Sequence, residues 1–522
     1  MWRRARMGVR VLSCLFALLL PPFAAWAEPD APALYAERCA ACHGEGRLGG
    51  IGPALLPENL GYLKPEGARA VIAAGRAATQ MPGFKDELDA GEIEALAAYV
   101  FGPLPEVPAW GAAEIAASRT VFAEPEDLPD RPAFAADPLN LFVLVESGDH
   151  HVSVIDGDSL ERIDRFPSRF ALHGGPKFSP DGRFVHFASR DGWITRYDLW
   201  SLRPVAEVRA GINTRNIAIS GDGRILAVAN TLPRTLVLLD AGTLEPLKVI
   251  EAKDIWKKKS SRVSAVYTAP TRRSFVVALK DLPEVWEVSY ADPPPKSFGF
   301  VHSHEAGMEE ALDAGERFPI RRTVLEAPID DFFFDPTYTH LIGASGDGAA
   351  VVDLDVRRAI KKLPLLGLPH LGSGISWMRD GHRVMATPHL KEAAVSVIDM
   401  DTWEPIKRLE TPGPGFFMRG HENSPYVWVD SFLGGRRDTV SVIDKETLEI
   451  VREITPSPGK TAAHVEFTRD GRYALLSVWD MDGAVVVYDA GTLEEVKRIP
   501  AVKPSGKYNV WNKITFSEGT SH

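Results

Sequence analysis

Cysteine is scarce in this sequence, with three among 522 residues. Cys14 lies close to the N-terminus, and the other two are Cys39 and Cys42. So few thiols argue against a disulfide framework and against a cysteine-rich zinc site. Long apolar runs are also lacking, because after residue 20 no stretch is long and apolar enough to form a membrane helix.

The N-terminus has the features of a secretory signal peptide. Four arginines within the first ten residues precede an apolar run at 11–20, and Ala25-Trp26-Ala27 supplies a small-residue cleavage site. The run is too short to span a bilayer, so we expect cleavage after Ala27 rather than an anchor. Cleavage leaves 55 basic and 70 acidic residues, which changes the formal charge from −11 to −15. An exported chain this acidic is a poor candidate for nucleic-acid binding.

Cys39-Ala40-Ala41-Cys42-His43 is a C-x-x-C-H motif, which is typical of covalent haem c attachment. The two thiols add to the haem vinyl groups, and the adjacent imidazole takes one axial position on the iron. We therefore predict that Cys39 and Cys42 bind haem c and that His43 is its proximal ligand. Haem c together with export indicates a bacterial periplasm.

Helical patterns around this motif predict an all-α domain at residues 28–102, with helices over 31–42, 65–78 and 89–101. Met81 is followed by Pro82 in the loop between the last two helices, which resembles the distal-ligand loop of class I cytochromes c. A thioether ligand raises the haem potential relative to two nitrogens, so we interpret Met81 as the distal ligand. The alternative is a loop methionine packed on the haem edge. Residues 103–136 are rich in proline and acidic residues and predict a linker.

From residue 137 to residue 522 one pattern recurs, in which a β-branched strand ends in an acidic residue and a turn leads to a second amphipathic strand. VSVIDGDSLERIDRF from Val152 is one example, and hairpin signals such as SPDGR separate the units. The acidic residue that marks each unit occurs eight times, at Asp156, Asp198, Asp240, Glu287, Asp353, Asp399, Asp444 and Asp489. Steps of mostly 42 to 47 residues match four-stranded blades. We predict a mainly β chain with an eight-bladed β-propeller and an insertion at 293–318.

Two local strings add to this layout. One is Arg169-Phe170-Ala171-Leu172-His173, and the other is Leu368-Pro369-His370-Leu371-Gly372. With the exported haem c domain and the eight blades, they resemble the cytochrome cd1 family, whose propeller holds haem d1 in its central channel. The resemblance covers essentially the whole mature chain. It implies haem d1, or its dihydro precursor, as a second bound tetrapyrrole.

The resemblance also implies roles for individual residues in the propeller. His173 corresponds to the proximal ligand of the d1 iron, and His370 to a histidine over the open face of the ring. Without the family, isolated histidines such as these are more often structural. Arg169 is a candidate partner for the carboxylates of the macrocycle, as are Arg190 and Arg215, because a guanidinium matches carboxylate geometry. Surface ion pairs explain such arginines equally well.

One position departs from the nitrite reductases of the family. Where their pattern has a second distal histidine, this sequence has Asp330 and Asp331. Carboxylates near the iron repel an anion and remove a proton donor, which puts nitrite reduction in doubt. The alternative, that these aspartates begin a strand in solvent, leaves the histidine equally absent. His421 also matches a family-wide string, and we interpret it as structural or pocket-lining.

The last two strands carry His464 and Tyr508, for which the resemblance implies acid–base roles in a dehydrogenase of the same family. Oxidation of a propionate to an acrylate removes two electrons and two protons, so a proton acceptor is needed beside the saturated chain. Imidazole suits that role near neutral pH, and Tyr508 can orient the group or relay a proton. Without the family, both residues are packing residues of the closing strands.

The sequence favours a periplasmic dehydrogenase that oxidises a propionate of dihydro-haem d1 to the acrylate of haem d1. Its electrons are expected to pass through haem c to an external acceptor, and its product to a cd1 nitrite reductase. Two alternatives stay open, namely a nitrite reductase and a non-catalytic carrier of haem d1. Asp330 and Asp331 argue against the first, and the complete haem c motif with Met81 argues against the second.

Overall fold

The computed structural model describes residues 29–50, 52–60, 63–75, 81–106, 109–172, 175–295, 317–345, 348–516 and 518–519. The predicted leader, His173 and most of the predicted insertion (296–316) lie outside these ranges. Within them, no helix combines the length and the apolar character needed to cross a membrane.

Short helices form the N-terminal domain, at Ala31–Arg38, Ala40–His43, Pro57–Leu60, Lys64–Ala74 and Ala90–Phe101. The first predicted helix is therefore broken at Cys39, and the second ends earlier than predicted because Gly75 adopts a φ of 72°. Asp89 begins the last helix with a capping box. Its carboxylate accepts the Glu92 N–H at 2.8 Å, and the Glu92 carboxylate accepts the Asp89 N–H at 2.9 Å.

Eight antiparallel sheets follow and confirm the predicted propeller. In each blade the strands are given from the innermost to the outermost. Blade 1 has Pro504–Asn509, Leu141–Glu146, His151–Asp156 and Arg162–Pro167; blade 2 has Lys177–Phe178, Phe184–Ala188, Trp193–Asp198 and Arg203–Arg209; blade 3 has Asn213–Ile219, Ile225–Leu232, Thr235–Asp240 and Pro246–Glu251; and blade 4 has Val263–Ala269, Ser274–Leu279, Glu284–Ser289 and Ile320–Val324. Blade 5 has Phe332–Phe334, His340–Ser345, Gly348–Asp353 and Arg358–Leu363; blade 6 has Ile375–Arg379, His382–Pro388, Ala394–Asp399 and Pro405–Glu410; blade 7 has Met418–Gly420, Tyr426–Asp430, Val440–Asp444 and Ile450–Ile454; and blade 8 has Ala462–Phe467, Tyr473–Val478, Gly483–Asp489 and Glu495–Ala501.

Blade 1 closes the ring because it combines the two ends of the propeller sequence. The C-terminal strand pairs with the first propeller strand, so that Tyr508 lies opposite Val143 and Asn509 opposite Phe142. Closure leaves no free inner edge at this blade. A short helix, Val510–Thr515, follows the closing strand.

The apolar core of the propeller lies between blades. Each neighbouring pair of blades shares one cluster of buried apolar side chains, and the eight clusters follow one another around the ring. Successive residues of a strand point to opposite faces of the sheet. In blade 8, for example, Leu476 belongs to the cluster shared with blade 7, and Leu475 to the cluster shared with blade 1. This explains why the repeated strands are apolar at nearly every position.

The predicted linker contributes ordered elements as well. Residues Ala112–Ser118 form a helix, and Thr120–Val121 add a fifth strand to the outer edge of blade 2. Glu207 in the outer strand of that blade pairs with Thr120. The segment between the domains is therefore partly fastened to the propeller.

Seven of the eight marker residues share one place, the end of the third strand of their blade. Glu287 instead lies within its strand, Glu284–Ser289, and pairs with Arg272 and Arg321. The Asp240 carboxylate, for instance, accepts the backbone N–H groups of Gly242 and Thr243 at 2.9 and 2.8 Å, which closes the turn to the fourth strand. We call this side of the propeller the aspartate face. Because the strands alternate in direction, the loops that join one blade to the next lie on the opposite side, the pocket face. His370 and the Asp330–Asp331 pair lie on loops of the pocket face.

Candidate active site and haem c centre

The haem c motif lies at the junction of the first two helices. His43 is buried, with 7% of its surface exposed, and its Nδ1 lies 2.8 Å from the carbonyl oxygen of Pro53. Donation from Nδ1 to that carbonyl leaves Nε2 free to bind iron. A Cβ on Gly52 would lie 2.7 Å from the imidazole Cε1, so only glycine leaves room for the ring here. Burial lowers the pKa of His43 and favours the neutral, ligating form.

The other donors fit a covalent haem c. The Cys39 thiol is half-buried and the Cys42 thiol is exposed, and neither forms a disulfide. Met81 and Cys39 both pack against the domain's apolar cluster, whose buried members include Tyr35 and Leu96. Two thiols, an imidazole and a thioether in one small apolar domain are a donor set that fits a covalently bound haem c.

In the propeller, three of the predicted site residues are joined by a chain of aromatic rings. His370 lies 4.3 Å from Phe416, Phe416 lies 4.7 Å from Phe417, and Phe417 lies 4.9 Å from His464, all between ring centroids. His464 in turn lies 5.1 Å from Tyr508 in an edge-to-face contact. The innermost strands of blades 1 and 8 and the loops before blades 6 and 7 thus bring residues from distant parts of the chain into one wall of the channel.

His464 has an unusual backbone. Its φ is 55°, in the left-handed region that non-glycine residues rarely adopt, and the pairing register shifts at this residue. A shift of this kind is a β-bulge, which redirects a side chain and is frequent beside active sites. Such a backbone conformation persists only when the surrounding structure holds it.

A buried acid and a buried base hold that conformation from both sides. The Asp430 carboxylate accepts the His464 N–H at 3.4 Å and also the N–H groups of Phe416 and Phe417. The Lys507 ammonium donates to the His464 carbonyl oxygen and, at 2.9 Å, to the Ser477 hydroxyl. We call Asp430 and Lys507 the His464 clamp.

Burial and charge set the protonation of this region. Burial lowers the pKa of His464 well below its usual 6.5, and the nearby cations Lys507, Lys513 and Arg419 lower it further. His464 is therefore a neutral base at physiological pH. Burial also lowers the pKa of Lys507 to about 7 and raises that of Asp430 to about 6. The His464 Nδ1 is buried and has no hydrogen-bond partner among the described residues.

Tyr508 lies at the edge of a small cavity. Leu172, Gly175 and Phe187 line it with the tyrosine, and the ring of Tyr508 lies 3.2 Å from the position that a Cβ on Gly175 would take. Burial raises the pKa of Tyr508, so the phenol stays protonated. His173, the predicted iron ligand, lies between these lining residues in the sequence but outside the described residues, and its role stays a prediction.

Asp330 and Asp331, which occupy the position where the nitrite reductase pattern has a histidine, have different partners. Asp331 is buried; it accepts the Tyr267 hydroxyl at 2.8 Å and lies 3.9 Å from the Arg215 guanidinium. Asp330 is exposed and pairs with Lys280 at 2.6 Å. Burial lowers the pKa of His370, and its Nδ1 lies 2.6 Å from the carbonyl oxygen of Phe416. Both aspartates oppose that pKa shift, and Asp331 opposes it more strongly than Asp330.

Other arginine and histidine candidates have defined surroundings. The Arg169 guanidinium forms an ion pair with Glu207 at 2.6 Å and lies over the Trp193 ring, 3.9 Å from its centroid. Contact between Arg169 and a carboxylate of the macrocycle stays a prediction.

His421 is buried on the aspartate face, where its Nδ1 accepts the Asn423 N–H at 3.1 Å. It is therefore a structural residue.

The sequence carries no signal for the His464 clamp or for the two phenylalanines of the aromatic chain. Asp430 ends a second strand rather than a third and belongs to no repeat signal. Lys507 lies next to Tyr508 in the sequence, but an alternating strand gives no sign that its ammonium is buried. Only the packing of blades 7, 8 and 1 brings these residues to His464.

Fold and site together define a two-domain cytochrome, in which a small haem c domain is joined to an eight-bladed propeller. Residues 136–513 match the "Cytochrome D1 heme domain" family, and residues 27–100 match "Cytochrome C oxidase, cbb3-type, subunit III". The chain belongs to the cytochrome D1 heme domain family, as its sequence strings indicated.

Relatives place the chain within that family. It is 56% identical over 516 residues to the dihydro-heme d1 dehydrogenase of Pseudomonas aeruginosa, an alignment that covers 98% of this chain and 100% of the relative. It is 25% identical over 541 residues to a nitrite reductase of Stutzerimonas stutzeri, covering 92% of each chain. A solved structure, "Dihydro-heme d1 dehydrogenase NirN in complex with DHE", matches with a TM-score of 0.86 and 56% identity, covering 93% of this chain and 99% of the other.

Proposed function

We propose that this protein is an oxidoreductase that converts dihydro-haem d1 to haem d1 by oxidising one propionate side chain to an acrylate. The observation that carries the proposal is the arrangement of His464, a neutral base on a clamped bulge, in edge-to-face contact with Tyr508. The 56% identity to a dihydro-heme d1 dehydrogenase over the full chain supports the same substrate.

The reaction removes two hydrogens from adjacent carbons of the propionate, as two protons and two electrons. His464 accepts one proton, because burial keeps its imidazole neutral and its Nδ1 has no partner among the described residues. The second proton leaves to solvent. Tyr508, held protonated, orients the side chain by a hydrogen bond. Haem c bound at the C-x-x-C-H motif would supply a one-electron acceptor for the two electrons and a route to an external acceptor.

The remaining site residues bind and orient the substrate in this proposal. His173 ligates its iron, His370 covers the open face of the ring, and Arg169 pairs with a carboxylate at its edge. Cys39, Cys42, His43 and Met81 would hold haem c. The buried Asp331 carboxylate lies where a nitrite reductase of the family needs a proton donor, which disfavours nitrite as the substrate.

We further propose that the protein works in the periplasm after cleavage behind Ala27, and that a cd1 nitrite reductase receives its product. The leader pattern and the C-x-x-C-H motif support the location. The acidic charge of the mature chain is compatible with a basic electron acceptor.

The test uses the full mature protein carrying haem c. Dihydro-haem d1 is added without air and the visible spectrum is followed, with and without a one-electron oxidant. Each substrate molecule yields two electrons and each chain accepts one, so conversion should stop at half an equivalent until the oxidant is added. His464→Ala should slow conversion by about 10²- to 10⁴-fold, the usual contribution of a general base.

His382→Ala is the matched control, because His382 is an exposed histidine on the aspartate side of blade 6 whose side chain is 62% exposed. Its rate should equal that of the wild type. Tight binding without conversion, together with nitrite turnover once haem d1 is loaded, would instead identify a reductase. Binding with neither reaction would identify a carrier.

A further inference from the structure

One arginine of the propeller reaches into the cytochrome domain. Arg209 ends the outer strand of blade 2 and is buried, with 7% of its surface exposed. Its Nε donates to the Asp191 carbonyl oxygen at 2.9 Å, and its terminal nitrogen Nη2 donates to the Leu48 carbonyl oxygen. The ring of Trp110 lies 5.0 Å from the guanidinium, and the Trp110 indole N–H donates to the Arg209 carbonyl at 2.8 Å.

On the cytochrome side, the segment that Arg209 holds is the one that positions the haem ligand His43. The Gly49 N–H donates to the His43 carbonyl at 2.9 Å, and the Pro53 carbonyl accepts from the His43 imidazole. Ala54, the next residue, is fully buried in a cluster that includes Ile212 of the propeller. The propeller therefore supports the immediate surroundings of the imidazole.

On the propeller side, Arg209 is hydrogen-bonded to the turn that joins the second and third strands of blade 2. The Arg190 N–H of this turn donates to the Ala171 carbonyl at 3.1 Å, and Ser189 forms a β-bridge with Leu172. Leu172 lines the cavity beside Tyr508. A short series of backbone contacts thus leads from the wall of the pocket to Arg209.

We propose that Arg209 is a positioning residue that fixes the His43 segment against the pocket wall and so sets the rate of electron transfer from the propeller pocket to haem c. The inference rests on the proposed function. Each substrate molecule gives up two electrons in two single transfers, each of which reduces one ferric haem c to the ferrous form, while the two protons leave through His464 and solvent. No bond to Arg209 forms or breaks.

The chemistry of arginine suits this position. A planar guanidinium has donors in several directions and can hold two carbonyl oxygens of different domains at once. Burial of a cation at a contact between domains is unfavourable for stability unless its N–H donors form hydrogen bonds. A buried arginine here therefore fixes the relative position of the two segments that it contacts, rather than only adding to the stability of the contact. Lysine offers a single ammonium and cannot reproduce both contacts.

The experiment compares Arg209→Met, Arg209→Lys and wild type as full-length holoproteins. Stopped-flow absorbance follows haem c reduction by bound dihydro-haem d1, a titration gives the Kd, and a redox titration gives the haem c potential. We expect Arg209→Met to slow haem c reduction by about 3- to 30-fold. This is the range over which single residues along a chain of contacts change the coupling between two sites. Kd and potential should stay unchanged, and Arg209→Lys should restore only part of the rate.

Arg322→Met is the matched control. Arg322 is also a poorly exposed arginine that donates to a backbone carbonyl, of Lys253 at 3.0 Å, and lies over a tryptophan ring, but these partners belong to blade 4 and the loop before it rather than to the cytochrome domain. An unchanged reduction rate in Arg209→Met would overturn the inference, and so would an equal loss in Arg322→Met. If the wild type itself fails to convert the substrate, the proposed function is wrong. If the wild type converts it and Arg209→Met does so equally fast, only the present inference is wrong.

Discussion

Removal of the Lys507 ammonium should impair catalysis without loss of substrate binding. In Lys507→Met, the His464 carbonyl loses its donor, and the left-handed backbone at φ 55° loses one of the contacts that hold it. A strained conformation of this kind lies about 1–3 kcal/mol above a relaxed one. The catalytic conformer should therefore fall in population, and kcat with it, by roughly 5- to 150-fold.

The pH profile gives a second readout of the same change. The Lys507 cation helps to lower the pKa of His464. Its removal raises that pKa, and since the base must be neutral, the acid limb of kcat/KM should move to higher pH. The assay is steady-state conversion of dihydro-haem d1 with a one-electron oxidant, measured from pH 5 to 8, the range around the ordinary pKa of histidine.

Lys445→Met provides the control for this prediction. Lys445 is likewise buried, and its ammonium donates to a histidine carbonyl, that of His421, at 2.6 Å, but on the aspartate face. Both variants leave a buried carbonyl without its donor and should lose similar stability, about 1–3 kcal/mol. Only Lys507→Met should lose activity. Equal turnover of the two variants would refute the role of the clamp.

Three further outcomes follow from the described contacts. Burial raises the pKa of Asp430 from 3.8 to about 6, so between these pH values the folded state holds a proton that the unfolded state lacks. The stability of the wild type should therefore fall relative to that of Asp430→Asn as pH rises from 4 to 6, by up to about 3 kcal/mol. The difference in Tm between the two proteins measures this effect. Gly52→Ala should push the His43 imidazole away and alter the haem c spectrum, because the new Cβ would lie 2.7 Å from the ring. Arg419→Met leaves the buried Glu466 carboxylate without its 2.6 Å partner and should destabilise the propeller by about 3–5 kcal/mol, measured by chemical denaturation.

Two of these predictions have matched controls. Gly46→Ala places a Cβ no closer than 3.5 Å to a neighbouring side chain, and its haem c spectrum should match the wild type. Arg436→Met removes an exposed arginine from an ion pair with Glu453 at 2.7 Å, and its stability should change by less than about 1 kcal/mol. A normal spectrum in Gly52→Ala, or equal stability losses in the two arginine variants, would contradict the reasoning.

Much of the fold could be predicted because its signals are local and repeated. An aspartate at the end of a third strand accepts two backbone N–H groups two and three residues later, so the same short string recurs in blade after blade. The C-x-x-C-H motif is local for the same reason, since neighbouring residues bind one haem. Helix ends were less accurate, because Cys39 interrupts the first helix and Gly75 ends the second.

The site was only partly predictable. His370, His464 and Tyr508 matched strings of a known family, and the structure brings them into one aromatic wall. Phe416, on the loop before blade 7, completes that wall without any signal of its own in the sequence. The ion pair of Asp330 with Lys280 was equally invisible in the sequence.

The sequence by itself determined the number of blades, the C-x-x-C-H motif of the haem c domain and the family, since each depends on residues that are neighbours in the chain. Tertiary structure alone decided which side chains meet. Asp430 and Lys507 lie on different blades and join at His464 only because the ring closes between the two ends of the propeller. Arg209 and Leu48 meet only because the cytochrome domain docks on blades 2 and 3. Burial then sets the pKa of each group, and burial is a property of the whole packed structure rather than of any short stretch of sequence.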